Sequence, residues 1–454
     1  MGKINLIRMK HRNLLLFSIL VLHIAGCTQL EVLPSPTATI LSPTETQVLV
    51  LLSATATPTQ PPPTALPPAT NTPLPSITST PNIHFREQCI DIRISQPQEI
   101  SLSGTLVLKD EWFGLNVYLL NLETADQTPQ QLENIMALPS LSVSPDKKRL
   151  AVMQYDDQQH RHRLTTFSAN GKIQNTISLF PDLSSILGWQ NDELLAIGRV
   201  RSDGLRKLDS TIIVSSISGE IQELLPDDYN SIYKSIDNNV IWLGYSFNRT
   251  VYNPALTYVV YSGLENGKTP LFLANVQTKS IIARINWWGG VYGATPQWFR
   301  NGQSVLVTGQ VKLNGFASAQ DGIELFRMDL NGQVTRLTYL SDVYTAYIRN
   351  FTLSPDEQRV AFWMEIQDPT YSGVRLGVLD LQSGEMVDYC IAGAAALDNK
   401  DFIPPVWSPD SKQISVTQAM NDGATRKTII IDLISGKAFE LLDQLIPLGW
   451  MSNK

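Results

Sequence analysis

The sequence predicts an all-β protein: a seven-bladed β-propeller of four-stranded antiparallel blades, preceded by a disordered stalk. Three observations carry that reading. A two-part unit recurs from Ser101 onward at spacings of roughly 45 to 65 residues, a period that suits a propeller or solenoid and not a doubly wound sheet. Ser-Pro-Asp turns stand at one fixed offset ahead of short apolar strands. Of the 27 prolines, 12 lie between Pro34 and Pro81, so the 454-residue chain divides into a Pro/Thr-rich strip and an ordinary globular body.

The first segment, residues 1–26, reads as an export signal. Lys3, Arg8, Lys10 and Arg12 form a basic stretch, and Leu14 to Ile24 is an apolar core shorter than the roughly 20 residues that a membrane span needs. The core ends in Ile24-Ala25-Gly26-Cys27, which resembles the lipobox of bacterial lipoproteins. That resemblance implies that Cys27 becomes the first mature residue with diacylglycerol on its sulfur, making membrane lipid the first expected partner. Myristoylation at Gly2 is not expected, because Leu6 stands where that motif needs Ser or Thr.

Residues 27–82 are mostly Pro, Thr, Ser and Ala, with Glu31 and Glu45 the only charges. Such a segment buries too little apolar area to offset its ordering entropy, and its prolines favour extended polyproline II. It is expected to be a tether.

The body, residues 83–454, carries the repeats. Val143-Ser144-Pro145-Asp146 leads to Leu150-Ala151-Val152, Leu353-Ser354-Pro355-Asp356 to Val360-Ala361-Phe362, and Trp407-Ser408-Pro409-Asp410 to Ile414-Ser415-Val416. The offset from the first apolar residue to the second strand is seven in each. Trp298 with Asn301-Gly302, and Val251 with Asn253-Pro254, keep the offset with other turn chemistry, while Trp189 with Asn191-Asp192 is one residue shorter. Proline fixes φ and Asp or Asn bonds nearby backbone, so each copy is a turn between two strands. The second half of each unit is a hairpin, at Asn170-Gly171, Ser218-Gly219, Asn331-Gly332, Ser383-Gly384 and Ser435-Gly436. Asp203-Gly204, Asp321-Gly322 and Asp422-Gly423 mark a third hairpin between the halves. Four strands joined by three hairpins make a propeller blade.

Six units begin near Ser140, Ser185, Val240, Thr295, Asn350 and Pro404. Leu448-Gly449-Trp450 repeats the first-strand pattern of Leu187-Gly188-Trp189, and the strands it lacks stand at Gly104 to Leu108 and Leu115 to Leu122. A seventh blade is therefore expected from both ends of the chain, closing the ring and removing free sheet edges. With its Ser-Pro-Asp turns ahead of Ser-Gly or Asn-Gly hairpins, the body resembles a TolB-like β-propeller. The resemblance spans about Ser101 to Lys454 and implies no single activity, since related propellers serve both as binding partners and as gating domains of oligopeptidases.

Composition excludes several classes. The formal net charge of −7 includes the four N-terminal cations, so the body is more acidic still and has no field to gather phosphates; no nucleic-acid partner is expected. No Gly triplet period, sustained heptad or second long apolar run appears.

A local catalytic set is also missing from the sequence. There is no Gly-x-Ser-x-Gly, the Ser144-x-x-Lys147 match lies in a blade turn, and beyond the signal only His84, His160 and His162 could serve as a general base. His160 and His162, with Asp156 and Asp157, are weak metal candidates; Arg161 and Arg163 interleave with them, so no metal and no cofactor are expected. Cys89 and Cys390 are the only thiols besides Cys27 and form a candidate disulfide; two separate buried thiols are the alternative.

Trp189, Trp298, Trp407 and Trp450 share one repeat position and are expected in the core. Trp287, Trp288 and Tyr292 lie instead in a Gly-rich inter-blade connection, and Tyr344 and Tyr347 in the next. These five are the candidate binding face, for a protein or glycan partner, with inter-blade packing as the alternative. The expected function is thus a membrane-anchored, extracytoplasmic binding or scaffolding propeller without catalysis. The alternative is a carbohydrate-active propeller enzyme with residues dispersed over several blades.

Overall fold

The computed structural model describes residues 85–90, 101–110, 116–124, 128–133, 135, 140–181, 183–200, 208–224, 251–262, 270–286, 294–311, 322–367, 373–393, 403–419 and 426–454. The expected signal, Cys27, the tether, Trp287, Trp288, Tyr292 and the Asp203-Gly204 and Asp422-Gly423 hairpins lie outside these residues.

Strands follow one another in antiparallel fours. After β1 (Phe85–Glu87) come β2 (Thr105–Lys109), β3 (Val117–Asn121) and β4 (Gln130–Gln131). The next sheet is β5 (Ser140–Val143), β6 (Arg149–Asp156), β7 (Arg161–Ser168) and β8 (Ile173–Ser178), and the one after is β9 (Leu183–Trp189), β10 (Leu194–Val200), β11 (Leu208–Ser215) and β12 (Ile221–Leu224). Then follow β13 (Val251–Tyr252), β14 (Tyr258–Ser262), β15 (Leu271–Asn275) and β16 (Ile281–Ile285). A fifth set is β17 (Gln297–Trp298), β18 (Ser304–Val311), β19 (Gly322–Asp329) and β20 (Val334–Arg336), and a sixth is β21 (Thr345–Leu353), β22 (Arg359–Gln367), β23 (Gly373–Asp380) and β24 (Met386–Ala392). The last is β25 (Val406–Trp407), β26 (Gln413–Ala419), β27 (Arg426–Asp432) and β28 (Lys437–Asp443), before β29 (Ile446–Met451). The fifth and sixth sets share a sheet through one parallel bridge, Ile323 to Tyr347.

β29 returns to the start. It pairs with β2, Trp450 opposite Leu106 and Met451 opposite Thr105, so that β29, β2, β3 and β4 form one four-stranded sheet. The closure is tight: a Cβ on Gly449 would stand 2.4 Å from a Val143 methyl of the neighbouring sheet, and one on Gly104, at φ +88°, would stand 2.3 Å from the Met451 carbonyl. Only glycine fits either place.

Alternation along the middle strands explains how the sheets stack. In β27, Ile429 and Ile431 join Trp363, Leu376 and Trp407 on one side, while Ile430 joins Leu106, Leu120 and Trp450 on the other. In β22, Ala361 and Trp363 face the β25–β28 sheet, and Phe362 and Met364 face the β17–β20 strands. Each such strand is buried on both faces, which reads in sequence as a continuous apolar run. Sheets stacked in succession around a closing strand constitute a β-propeller, so the all-β fold class is that of the sequence prediction.

The Ser-Pro-Asp turns are one hydrogen-bonded device used three times. Ser144 Oγ donates to Asp146 Oδ1 at 2.5 Å, Ser354 Oγ to Asp356 at 2.5 Å and Ser408 Oγ to Asp410 at 2.7 Å. Each serine Oγ also accepts the main-chain N–H five residues on, from Arg149, Arg359 and Gln413. The serines are buried, which makes Ser144 a turn former and not an exposed nucleophile. Ser408→Ala leaves the buried Gln413 N–H without its acceptor. It is expected to cost about 1–3 kcal/mol in denaturant unfolding, against a few tenths for the exposed Ser383→Ala.

Two features depart from the sequence reading. β1 adds in parallel to β24, giving the β21–β24 unit a fifth strand that covers its outer edge. Gln88 N donates to the Asp388 carbonyl and Arg86 pairs with Glu385 at 3.4 Å, while the candidate disulfide of the sequence is present beside them, Cys89 bonded to Cys390 with a Cα–Cα distance of 4.8 Å. The second departure is Tyr347, which lies in β21 because that strand starts at Thr345, before the Asn350 expected from the repeat. Tyr347 is 5% exposed and Tyr344 packs half-buried against the Phe351 and Phe362 cluster, so neither is a freely displayed loop aromatic. The candidate binding face is corrected at these two positions: both side chains spend their apolar surface on the core.

Candidate functional site in the central channel

The first or closing strand of each described four-strand set, β5, β9, β13, β17, β21, β25 and β29, borders a common channel of about 780 Å³. Neighbouring walls are joined by indole N–H donors. Trp189 Nε1 donates to the Ser142 carbonyl at 3.3 Å, Trp298 to Val251 at 3.1 Å and Trp407 to Thr352 at 3.0 Å. Gln297 ties β17 to β21, its Nε2 donating to the Phe351 carbonyl and its Oε1 accepting the Leu353 N–H. Trp407 and Trp450 are buried, as the repeat predicts, but Trp189 and Trp298 are only half-buried and line the channel. A repeat position on an inner strand meets the channel as well as the next blade.

One mouth of the channel is built from the first-hairpin turns. It carries Lys147 from the β5–β6 turn, Asp192 from the β9–β10 turn, Arg300 from the β17–β18 turn and Glu357 from the β21–β22 turn. Lys147 and Glu357 occupy the fourth place of their Ser-Pro-Asp turns and adopt φ of 63° and 59°. Arg300 N–H donates to the Glu357 carboxylate, while the guanidinium reaches the Pro355 carbonyl at 3.5 Å. Enclosure by the channel walls, and then the nearby Arg300 charge, lower the Lys147 pKa to about 8.

That shift has a stability consequence. Between pH 8 and 10.5 the unfolded chain holds the Lys147 proton that the folded chain has lost, so stability rises with pH across this window and the penalty is fully present below about 8. Lys147→Met is expected to melt above the parent at neutral pH, with a gap that narrows as pH approaches 10.5. A calorimetric pH series reads both.

The other expected sites lie elsewhere. His160 is exposed at the β6–β7 turn, and His162 is half-buried, edge-on to Tyr155 at 5.1 Å with Nδ1 3.3 Å from the Phe180 carbonyl. Among the described residues no group of three or more His, Cys, Asp or Glu converges as metal ligands. Sequence reading took Lys147 and Asp192 for turn residues only and did not single out Arg300 or Glu357. For Lys147 and Glu357 the available signal was the fourth turn position, which changes charge between copies of an otherwise constant Ser-Pro-Asp turn; Arg300 and Asp192 stand in turns of other sequence.

The fold defines the class: an all-β propeller with a charged, Trp-walled channel. No protein-family model matches the chain, and no curated protein matches it. Solved propellers are similar to it at low identity. TolB from Acinetobacter baumannii is 13% identical, with a TM-score of 0.37, over 76% of this chain and 66% of that one, just under two thirds of its length. The periplasmic gluconolactonase PpgL of Pseudomonas aeruginosa is 13% identical with a TM-score of 0.42, over 78% and 98%. An oligogalacturonate lyase solved with manganese is 15% identical with a TM-score of 0.42, over 78% and 92%. These likenesses concern the fold. They also correct the expectation that the chain is not an enzyme: propellers similar to it include a gluconolactonase, prolyl endopeptidases and a lyase, so the lack of a local catalytic motif does not make a propeller non-catalytic.

Proposed function

We propose that the protein is an exported, membrane-tethered, seven-bladed propeller that binds a glycan-sized polar ligand in its central channel. The channel itself carries this reading: about 780 Å³ of space meets the usual size of a ligand pocket. Its wall combines half-buried Trp189 and Trp298 with Asn191, Thr295 and Gln297, a mixture of flat apolar surface and hydrogen-bonding groups. Support for export comes from the Lys3 to Cys27 pattern and from the Cys89–Cys390 bond, which suits an oxidising compartment. Lipidation at Cys27 predicts a diacylglyceryl adduct on the mature N-terminus and loss of membrane retention in Cys27→Ser, both read by mass spectrometry and fractionation.

Screening the mature protein on a glycan array tests the binding role. Thr295 is exposed in the channel and outside any strand, so Thr295→Arg narrows the space without touching the core. Binding that Thr295→Arg abolishes supports the reading; binding that survives it, or no binding to any glycan, overturns it.

A further inference from the structure

We infer that the Lys147 ammonium and the Arg300 guanidinium form an oxyanion site at the Ser-Pro-Asp mouth of the channel, selecting ligands that carry a carboxylate or phosphate. This deepens the channel reading proposed above and rests on it. Both side chains line the same cavity, yet they come from turns more than 150 residues apart, Arg300 exposed and Lys147 half-buried. Their charges are close enough to disfavour each other. Among the described residues neither forms an ion pair. The Arg300 guanidinium spends a single long contact on the Pro355 carbonyl, and Lys147 is joined to Ser452 only through its main-chain carbonyl. The Glu357 carboxylate accepts the main-chain N–H of Arg300, so one negative charge stands at the Arg300 end of the site, while among the described residues none is bonded to the Lys147 ammonium.

Several half-buried cations of this protein are matched by carboxylates: Arg336 with Glu324 and Asp342, Arg349 with Glu365, Arg375 with Asp388, Lys427 with Glu440. Two cations without an ion pair that line one cavity of an acidic protein are offset by an anion bound between them. Guanidinium offers a planar fork of donors to an oxyanion and ammonium a compact charge, which together suit a carboxylate or phosphate. Lys109, Asp192 and Glu357 are the other charged groups on the channel wall, and the two carboxylates would exclude larger polyanions while accepting from hydroxyls. With the lowered Lys147 pKa, the contribution of its charge to carboxylate affinity falls as pH rises above about 8.

The test is calorimetric titration of the full mature protein with three probes at constant ionic strength: a glucuronosyl disaccharide, its uncharged methyl ester, and inorganic phosphate. The disaccharide, phosphate or both should bind, and the acid should exceed its ester by at least about tenfold. Lys147→Met and Arg300→Gln should each remove that preference while melting cooperatively. Phosphate binding that needs Lys147, without disaccharide binding, supports the oxyanion site and assigns it to phosphate. Acid and ester binding alike with no phosphate bound, or both variants binding as the parent does, overturns the inference. If neutral glycans still bind in a Thr295→Arg-sensitive manner, the oxyanion site fails and the channel reading stands; if nothing binds, both fail.

Discussion

Deleting Ile446 to Lys454 is expected to abolish cooperative folding. The deletion removes Ile446, Trp450 and Met451, all fully buried, and exposes the β2 edge that β29 covers. Each lost side chain is of a kind whose truncation costs about 2–5 kcal/mol, so the sum approaches the whole stability of a domain, about 5–15 kcal/mol. It also opens two clusters at once, since Trp450 packs with Ile430 and Phe439, and Met451 with Val107 and Phe167. A truncated chain that melts at the parent temperature would show that β29 does not close the ring.

The second largest effect is expected for Trp407→Ala, about 3–5 kcal/mol by denaturant unfolding. Trp407 is 3% exposed, shares a cluster with Trp363 and Ile414, and donates its indole N–H to Thr352 of the adjoining sheet. Trp298 stands at the same repeat position with an equivalent bond to Val251, but it faces the channel half-exposed. Trp298→Ala should therefore cost clearly less stability and more glycan binding than Trp407→Ala. Equal destabilisation by the two would place Trp298 in the core and remove it from the ligand wall.

How much was legible in sequence depended on the range over which each interaction closes. The Ser144, Ser354 and Ser408 turns complete their hydrogen bonds within five residues, so local pattern sufficed to find them. Ile429-Ile430-Ile431 read as a buried strand because successive side chains serve opposite neighbours. The β29–β2 pairing, although it joins the two ends of the propeller sequence, was legible because each half lacked what the other carried.

Other parts were not legible. β1 is Phe-Arg-Glu, too short and polar to announce a strand; its pairing with β24 is a property of the edge it covers. Tyr347 looked like a loop aromatic because the repeat spacing starts the strand late, whereas an irregularity between Ile348 and Phe351 lets β21 begin earlier. The channel mouth escaped for a different reason. Lys147 and Arg300 line one cavity only when the ring is closed, and each alone reads as an ordinary surface turn residue.

The most direct measurement is a crystal structure of the mature protein soaked with the glucuronosyl disaccharide. The account predicts seven inner strands around the channel, Ile446–Met451 seated against Thr105–Lys109, and the carboxylate between Lys147 and Arg300. A different number of blades, a C-terminal segment detached from β2, or the disaccharide bound beside Trp287 and Trp288 instead of in the channel would contradict it.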